Sequence, residues 1–329
     1  QMCIRDSTTP HLTIAACLIG WPIAPGLVKR HYNLTKTYGA GQVRNDYQHI
    51  TVSPISGALG AEIGNVDLAA DNEERVYDEI HRALLENLVI FFRDQKISPE
   101  QHLSFARRWG DLHQHPYMKG MDEYPDILEI VKTPQDAKNF GGGWHSDQMF
   151  AEKPAMGTIL YAKQTPETGG DTLFANGYLA YDALSDGMKE MLDDMKIVCS
   201  GDNFKSAGGK SRKEVAGQNK SMTVVDPPKD MKTVNTHPVI RTHPETGRKA
   251  LYIGGHWRYF ENMTTAESEP LIDFLQDHAT RPEFTCRFRW EPGSIAFWDN
   301  RCTQHNAIDD YPGQTRIMNR ITVAGDVPF

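Results

Sequence analysis

Two histidines and one aspartate, placed far apart in the chain, constrain the fold more than any other feature of the sequence. His145 and Asp147 lie within one tripeptide, one residue after the glycine run 141–143, and His305 lies far down the chain. Two imidazoles and one carboxylate form a ligand set that holds a redox-active iron and leaves coordination positions open. A fold that uses all three residues must therefore bring two distant segments together.

The spacing of His145 and Asp147 suits a shared ligand role. In an extended strand, residues i and i+2 point the same way, so both can face one ion while Ser146 faces elsewhere. The third ligand must come from a different strand, a place that His305 can fill. The tripeptide alone is also compatible with a hydrogen-bonded histidine beside a surface aspartate.

Two arginines, Arg316 and Arg320, follow the distant histidine. In a strand over residues 316–321 they share one face, while Ile317 and Ile321 take the other. Arginine is almost never buried unpaired, so two of them on a face that points at a metal need anionic partners. Two interpretations stay open: ordinary charges on a solvent face, or side chains that bind ligand anions.

These residues, with several shorter motifs in the same order, resemble a known family. The chain is similar to the iron(II)- and 2-oxoglutarate-dependent dioxygenases of the taurine dioxygenase and 2,4-dichlorophenoxyacetate dioxygenase type, from about Ile50 to Phe329. The motifs that carry the resemblance are Ile55–Ile63, Trp144–Asp147, Gly169–Phe174, Trp298–His305 and Arg316–Arg320.

The resemblance implies a fold and a reaction. The expected fold is mostly β at its core with flanking helices, a double-stranded β-helix (a cupin-like jelly roll) with the metal in its mouth. His145, Asp147 and His305 match the iron ligands and are the expected catalytic residues. The implied reaction hydroxylates a small, anionic organic substrate, such as a sulfonate or an aryloxyacetate, with O2 and 2-oxoglutarate and releases succinate and CO2.

The resemblance also implies ligand-binding residues. Thr172 and Arg316 match the residues that bind the distal carboxylate of 2-oxoglutarate, and a planar guanidinium suits a carboxylate better than a lysine does. Trp298 resembles a wall of the cosubstrate pocket. Arg320 matches the arginine that meets an anionic substrate group, and His115 resembles a substrate-contacting histidine.

Two departures from the taurine enzyme concern the substrate. An asparagine-rich stretch of that enzyme, with one asparagine that touches substrate, is replaced here by the glycine run 141–143, which has no side chain to make the contact. The segment Gly254–Phe260, expected to line the substrate pocket, also differs. These differences argue against taurine itself. The presence of Asp147 disfavours the halogenating relatives, which free that position for halide.

The net charge and the cysteines limit which partners and which location the sequence favours. The formal net charge of −8 argues against nucleic acid, because phosphate binding requires a basic surface. The five cysteines (Cys3, Cys17, Cys199, Cys286 and Cys302) form no C-x-x-C pair and favour free thiols in a reducing cytoplasm. We also expect a homo-oligomer with no membrane partner.

The N-terminal residues 1–48 are predicted to be an atypical extension, and residues 49–329 the dioxygenase-type domain. Within the extension, Thr13–Val28 is apolar enough to suggest a signal-peptide core, but Pro22 and Pro25 interrupt it and it is short for a membrane span. We interpret the extension as non-native or disordered and expect residues 1–45 to pack poorly against the core.

Hydrophobic periodicity predicts a mixture of helices and strands in the domain. Ser98 with Gln101 forms a capping-box pattern that opens a helix. Helices are also predicted over 72–88, 178–195 and 265–278, and strands over 88–92, 236–241, 284–290 and 294–298. Residues 200–236 lack clear periodicity, and we interpret them as a lid over the active site or a disordered insertion.

Two other classes of protein remain as alternatives. The first is a cupin-like metal-binding protein without oxygenase activity, although the complete ligand set with Thr172 and Arg316 argues against it. The second is a zinc hydrolase, which also uses histidine and aspartate ligands. It has no need for an inward pair of arginines, and the chain has no H-E-x-x-H motif.

Overall fold

The protein is described from a computed structural model, over residues 46–202 and 220–329. The predicted packing of residues 1–45, and the middle of the predicted lid at 203–219, lie outside the described residues. At the start of the described chain, the Tyr47 hydroxyl donates to Glu86, and the backbone N–H groups of Gln48 and His49 donate to the Glu79 carboxylate.

Five α-helices occur in the described residues, and none of these is long and apolar enough to cross a membrane. They are α1 (Glu74–Asn87), α2 (Pro99–Arg107), α3 (Gly177–Asp182), α4 (Asp186–Leu192) and α5 (Thr265–Ala279).

Local sequence explains where these helices begin. The predicted capping box of α2 is confirmed, because the Ser98 side chain accepts from the Gln101 N–H and the Gln101 side chain accepts from the Ser98 N–H. The single helix predicted over 178–195 is wrong, since the chain forms α3 and α4 instead. Asn176 caps α3, and Ser185 accepts from the Met188 N–H to start a second helix.

Fifteen β-strands occur in the described residues, including strands at or near the four predicted segments. They are β1 (Thr51–Pro54), β2 (Ala61–Gly64), β3 (Val89–Phe92), β4 (Leu128–Lys132), β5 (Gly157–Gln164), β6 (Thr172–Asn176), β7 (Lys196–Ser200), β8 (Val234–Pro238), β9 (Ile240–Thr242), β10 (Lys249–Leu251), β11 (Trp257–Phe260), β12 (Thr285–Phe288), β13 (Ile295–Asp299), β14 (Thr303–Ala307) and β15 (Arg316–Val323).

The largest sheet has seven strands in the order β1-β2-β3-β13-β5-β15-β4, with every pairing antiparallel except β2 with β3. A three-stranded sheet has the order β12-β6-β14, a second has the order β11-β7-β8, and β9 pairs with β10. The large sheet alternates strands from the two halves of the chain, so it brings residues that are distant in sequence into contact.

The large sheet and the β12-β6-β14 sheet face each other across aromatic side chains. Phe91 of the large sheet stacks on Phe288 with ring centroids 3.9 Å apart, and Phe174 lies 5.6 Å from Trp298 by the same measure. The opposite face of the large sheet packs against α1 and α2. Strands β3 and β13 at the centre of the large sheet are therefore buried on both faces, and the space between the two sheets holds several of the predicted site residues.

The turn between β13 and β14 is held by a buried ion pair. The Asp299 carboxylate accepts from Arg301 Nε at 2.8 Å and Nη2 at 2.6 Å, and from His243 Nε2 at 3.0 Å. Arg301 also donates to Glu245 at 2.6 Å. Burial alone raises the pKa of Asp299, but Arg301 and His243 outweigh it and hold the pKa below its usual value. The carboxylate is therefore ionised at neutral pH.

Replacing Asp299 by Asn is expected to lower the free energy of unfolding by about 3–5 kcal/mol, because it removes the buried negative charge that accepts two hydrogen bonds from Arg301. Chemical denaturation at pH 7 measures this. As a control, Glu283→Gln, at an exposed ion pair with Arg281, should change the free energy by no more than about 0.5 kcal/mol.

The same comparison has a defined pH dependence. A carboxyl group whose pKa is lower in the folded state stabilises the protein above its unfolded pKa of about 3.9, and the stabilisation is lost as the pH falls through the folded value. The difference between the wild type and Asp299→Asn should be constant from about pH 5 to 8 and shrink below about pH 4. A difference at pH 7 below about 1 kcal/mol would show that the ion pair is not stabilising.

Candidate active site

A cavity between the two facing sheets contains most of the residues singled out in the sequence. The large sheet supplies Arg316, Arg320 and Trp298, and the smaller sheet supplies Thr172 and His305. The full lining consists of Ile130, Phe140, Gly141, His145, Leu160, Thr172, Trp298, His305, Ala307, Arg316 and Arg320.

Backbone hydrogen bonds bring His145 and His305 together. The His145 N–H donates to the His305 carbonyl at 3.0 Å, and the His305 N–H donates to the His145 carbonyl at 2.8 Å. The predicted strand over His145–Asp147 is wrong, because His145 forms only an isolated bridge to β14 and Asp147 lies in the turn that follows. Gly141 and Gly143 precede the bridge with φ of 82° and 87°, a conformation that favours glycine.

The three predicted ligands converge although they do not share a strand. His145 Nε2 lies 3.7 Å from Asp147 Oδ1, and His305 Nε2 lies 3.8 Å from the same oxygen. One ligand atom from each residue falls within 4.8 Å of the others. These three donors could hold one ion on one side and leave other coordination positions open, which suits non-haem iron.

The two imidazoles are set up differently. His145 Nδ1 lies 2.8 Å from the Gly143 carbonyl oxygen. A carbonyl only accepts, so Nδ1 is the donor there and Nε2 is left as a lone-pair ligand. Burial, and then the neighbouring His145, hold the pKa of His305 well below its ordinary value. The His305 imidazole is therefore neutral, as a metal ligand must be.

Asp147 is buried among positive partners. Its Oδ2 accepts from the Thr158 hydroxyl at 2.7 Å, and its Oδ1 lies 2.9 Å from Arg320 Nη2. Burial alone raises its pKa, but Arg320, the two histidines and the Thr158 hydroxyl outweigh burial and hold the pKa below its usual range. Asp147 is therefore an ionised oxygen donor.

Arg316 fits an anionic ligand. It is 4% exposed, and its Nε and Nη2 atoms are buried without a hydrogen-bond partner in the described part of the chain. Burial holds the pKa of Arg316 below its ordinary value, partly offset by Tyr311 and Asp171. Thr172 accepts from Trp290 Nε1 at 2.9 Å, so the Thr172 hydroxyl proton can be donated to an anion.

Arg316 and Arg320 are therefore not surface charges, which excludes one of the two interpretations left open by the sequence. Both line the cavity from the same face of β15, with Ile321 on the other side of the sheet. Trp298 also lines the cavity, and its ring centroid lies 4.7 Å from that of His305.

Two segments predicted to contact substrate do not line the cavity. His115 lies behind Phe140, with ring centroids 5.7 Å apart, and its Nδ1 accepts from the Tyr117 N–H. Gly254 and Gly255 pack against the backbone at Trp144–Ser146, where a Cβ on Gly254 would come within 3.1 Å of Ser146 N. The two glycines therefore leave room for the turn that carries Asp147. Trp257 and Phe260 belong to a separate core cluster.

Sequence reasoning missed several residues of the site. Thr158 and Asn300 contact Asp147 from behind, and Ile130, Phe140, Leu160 and Ala307 give the cavity apolar walls. Asn300 lies within the Trp298–His305 motif, which marks its segment as part of the site. Nothing in the sequence pairs Asn300 with Asp147. Thr158 and the apolar wall residues carry no motif.

Two imidazoles and a carboxylate beside an inward pair of arginines are typical of a non-haem iron enzyme with an anionic cosubstrate. Residues 51–322 match the sequence model of the family described as "Taurine catabolism dioxygenase TauD, TfdA family". The chain belongs to this family. The family resemblance inferred from the motifs is thereby confirmed.

Two named proteins and one solved structure are similar to this chain. The chain is 36% identical over 284 residues to the alpha-ketoglutarate-dependent sulfate ester dioxygenase of Pseudomonas putida. The aligned region covers 85% of this chain and 91% of that protein. The chain is 34% identical over 286 residues to the alkylsulfatase of Acinetobacter baylyi, with 87% and 88% covered. The crystal structure of a taurine dioxygenase from Burkholderia xenovorans is similar with a TM-score of 0.69 at 34% identity, over 85% of this chain and 91% of that one.

The protein is accordingly a 2-oxoglutarate-dependent non-haem iron dioxygenase that uses Fe(II), 2-oxoglutarate and O2 on a small organic substrate. The zinc hydrolase alternative is excluded.

Removing one of the three candidate ligands should weaken metal binding. His305→Ala is expected to weaken Mn(II) binding at least about 100-fold, more than the loss of a residue that only contacts a ligand. Mn(II) electron paramagnetic resonance on the anaerobic protein measures the affinity. His81→Ala, at a half-exposed histidine paired with Glu245, should bind Mn(II) like the wild type. Equal affinity in His305→Ala and the wild type would rule out this metal site.

Proposed function

We propose that this dioxygenase oxidises organic sulfate esters, a monoanionic sulfate head on an apolar carbon chain. The observation that carries the proposal is the position of Arg320, a buried cation beside Asp147 in a cavity whose remaining walls are largely apolar. The two relatives named for sulfate ester dioxygenase and alkylsulfatase activity support the same class of substrate.

Our assignment of the metal ligands is His145, Asp147 and His305. Their donor atoms are close enough for one ion, and the lowered pKa values of Asp147 and His305 favour the metal-binding forms of both side chains. When bound, Fe(II) with 2-oxoglutarate and O2 supplies the oxidising power for hydroxylation. The protein's own contribution is to hold the reactants in place and exclude water.

Arg316 and Thr172 are assigned to the distal carboxylate of 2-oxoglutarate. The unpartnered Nε and Nη2 atoms of Arg316 can donate two hydrogen bonds to one carboxylate, and the Thr172 hydroxyl can donate a third. Trp298 is assigned to the wall beside the cosubstrate, since its ring packs on His305.

Arg320 is assigned to the sulfate group, which it can reach from the metal side of the cavity. Ile130, Leu160 and Phe140 then lie where the carbon chain continues. Binding the head at Arg320 keeps the adjacent carbon near the metal ligands. His115 is proposed to act on substrate only indirectly, through its contact with Phe140.

The reaction balances as a hydroxylation followed by elimination. Oxygen is inserted into a C–H bond of the carbon that carries the sulfate ester, while 2-oxoglutarate is oxidised to succinate and CO2. The resulting carbon bears both a hydroxyl group and the ester oxygen. The hydroxyl loses its proton, its C–O bond becomes a carbonyl, and the bond to the ester oxygen breaks, giving an aldehyde and sulfate.

Three further predictions concern the core fold, the cellular location and the oligomeric state. The two facing sheets support a double-stranded β-helix, or jelly roll, as the core. The buried free thiols of Cys199, Cys286 and Cys302 are compatible with the predicted cytoplasmic location. The homo-oligomer stays a prediction to be measured by light scattering.

The products distinguish sulfate esters from other acids. With a medium-chain alkyl sulfate, the protein should form succinate, sulfate and the aldehyde in equal amounts, measured by chromatography. An alkyl sulfonate hydroxylated at the corresponding carbon would instead release sulfite. Succinate formation with sulfonates or aryloxyacetates but none with alkyl sulfates would contradict the proposed substrate.

The two arginines should separate by ligand. Arg316→Ala is expected to raise the KM for 2-oxoglutarate by about 10- to 150-fold, because it removes charge-assisted hydrogen bonds worth about 1.5–3 kcal/mol. Arg320→Ala should raise the KM for the sulfate ester with little effect on 2-oxoglutarate. Arg316→Lys, which keeps the charge but not the planar fork, should lie between the wild type and Arg316→Ala.

An independent measurement checks cosubstrate binding. Under anaerobic conditions, Fe(II) with 2-oxoglutarate should give a visible metal-to-ligand charge-transfer band, which Arg316→Ala weakens and Arg320→Ala retains. If both variants impair 2-oxoglutarate alone, the assigned roles are wrong. If the wild type binds metal and gives no band, the alternative of a non-catalytic metal-binding protein is correct.

A further inference from the structure

Two buried polar residues, Thr158 and Asn300, lie directly behind Asp147, on the side away from the histidines. Both are fully buried, Thr158 on β5 and Asn300 in the turn between β13 and β14. Neither lines the cavity, so neither can bind substrate or cosubstrate. A pair of buried hydrogen-bonding side chains in this position needs a structural or functional reason.

The direction of each hydrogen bond follows from groups that can only donate. The Trp298 indole N–H lies 3.0 Å from one atom of the Asn300 amide, and the Asp147 backbone N–H lies 3.2 Å from the same atom. Both groups are donors only, so that atom is Oδ1. The Asn300 Nδ2 group therefore faces Thr158 Oγ1, at 3.0 Å, and donates to it.

The direction of the hydrogen bond from the Thr158 hydroxyl follows from this contact. Since its oxygen already accepts from Asn300, the proton goes to Asp147 Oδ2, 2.7 Å away. Asp147 Oδ2 is thereby occupied, whereas Oδ1 faces His145 Nε2, His305 Nε2 and Arg320. Only one of the two carboxylate oxygens is directed toward the histidines.

We propose that Thr158 and Asn300 form a hydrogen-bond relay that holds Asp147 in one orientation and reserves its Oδ1 for the metal. They are positioning residues, since they act through Asp147. The relay restrains Asp147 at two points, because Asn300 accepts from its backbone N–H and, through Thr158, directs a proton to its carboxylate. A carboxylate restrained in this way binds metal through one oxygen and keeps the remaining positions open.

Further hydrogen bonds hold the turn that carries Asn300. The Asn300 carbonyl accepts from the Ser146 hydroxyl at 2.7 Å, which ties the middle residue of the ligand tripeptide to the same turn. On either side of Asn300, the buried pair of Asp299 and Arg301 fixes the turn itself. Asn300 therefore links the ion pair of Asp299 and Arg301 to the turn that carries Asp147.

The inference rests on the proposed assignment of Asp147 as a metal ligand. The test uses three variants of the full chain, each titrated anaerobically with Mn(II) and followed by electron paramagnetic resonance. Thr158→Val removes the hydroxyl with little change in shape, Thr158→Ser restores it, and Thr322→Val removes a buried hydroxyl on β15, directly opposite Thr158 in the sheet.

Thr158→Val is expected to weaken Mn(II) binding about 10- to 100-fold, the usual effect of losing a residue that orients a metal ligand. Thr158→Ser and Thr322→Val should stay within about threefold of the wild type, far below that effect. Circular dichroism and thermal unfolding of each metal-free variant show whether the fold is intact. A purely structural role would lower stability without the metal affinity following the hydroxyl.

Three results would overturn the relay: Mn(II) binding by Thr158→Val within about threefold of the wild type, no recovery in a folded Thr158→Ser, or an equal loss in Thr322→Val. If Thr158→Val does not fold, Asn300→Ala interrupts the same relay one link further from Asp147. It should weaken Mn(II) binding roughly tenfold, and unchanged binding overturns the proposal. Absence of Mn(II) binding in the wild type would reject the metal site itself, a separate outcome.

Discussion

Two backbone hydrogen bonds between His145 and His305 are the interaction on which the rest of the site depends. They fasten the glycine-rich segment to an edge of the smaller sheet and place both imidazoles beside Asp147, although the two histidines are far apart in sequence. Backbone pairing suits this purpose, because its geometry does not depend on flexible side chains. The unusual φ of Gly143 allows the chain to enter the pairing.

The second constraint is the electrostatics of a buried site. Asp147, Arg316 and Arg320 lie between two apolar sheets, where an unpaired charge is costly. Asp147 is neutralised by Arg320 and its hydrogen bonds, whereas the Nε and Nη2 atoms of Arg316 have no partner within the described residues. The buried guanidinium of Arg316 therefore has hydrogen-bond donors to offer an anion, which supports its proposed role in cosubstrate binding. The two sheets also exclude water, which would otherwise compete with the reactants for the polar groups of the site.

Much of the fold and the central part of the site could be predicted from the sequence. Helix α2 was predicted with its capping box because that signal is local. The family motifs singled out the two histidines and the aspartate whose donor atoms converge, and the two arginines that line the cavity. The helix over residues 178–195 was wrong because the cap at Ser185 competes successfully with continued periodicity. His115 was expected at substrate, but its distance from the cavity depends on how Phe140 packs, and no local pattern encodes that.

The sequence by itself determined which chemical groups are present: two imidazoles, a carboxylate and two arginines at spacings that strands can bring together. Motif order determined the family, because these residues occur in one arrangement along the chain. Only the tertiary structure decided which oxygen of Asp147 faces the histidines, since Thr158 reaches Asp147 from β5 and Asn300 reaches it from the turn between β13 and β14. The physical reason is that hydrogen-bond direction and ion pairing depend on distances between side chains, which the chain sets only when the sheets have packed.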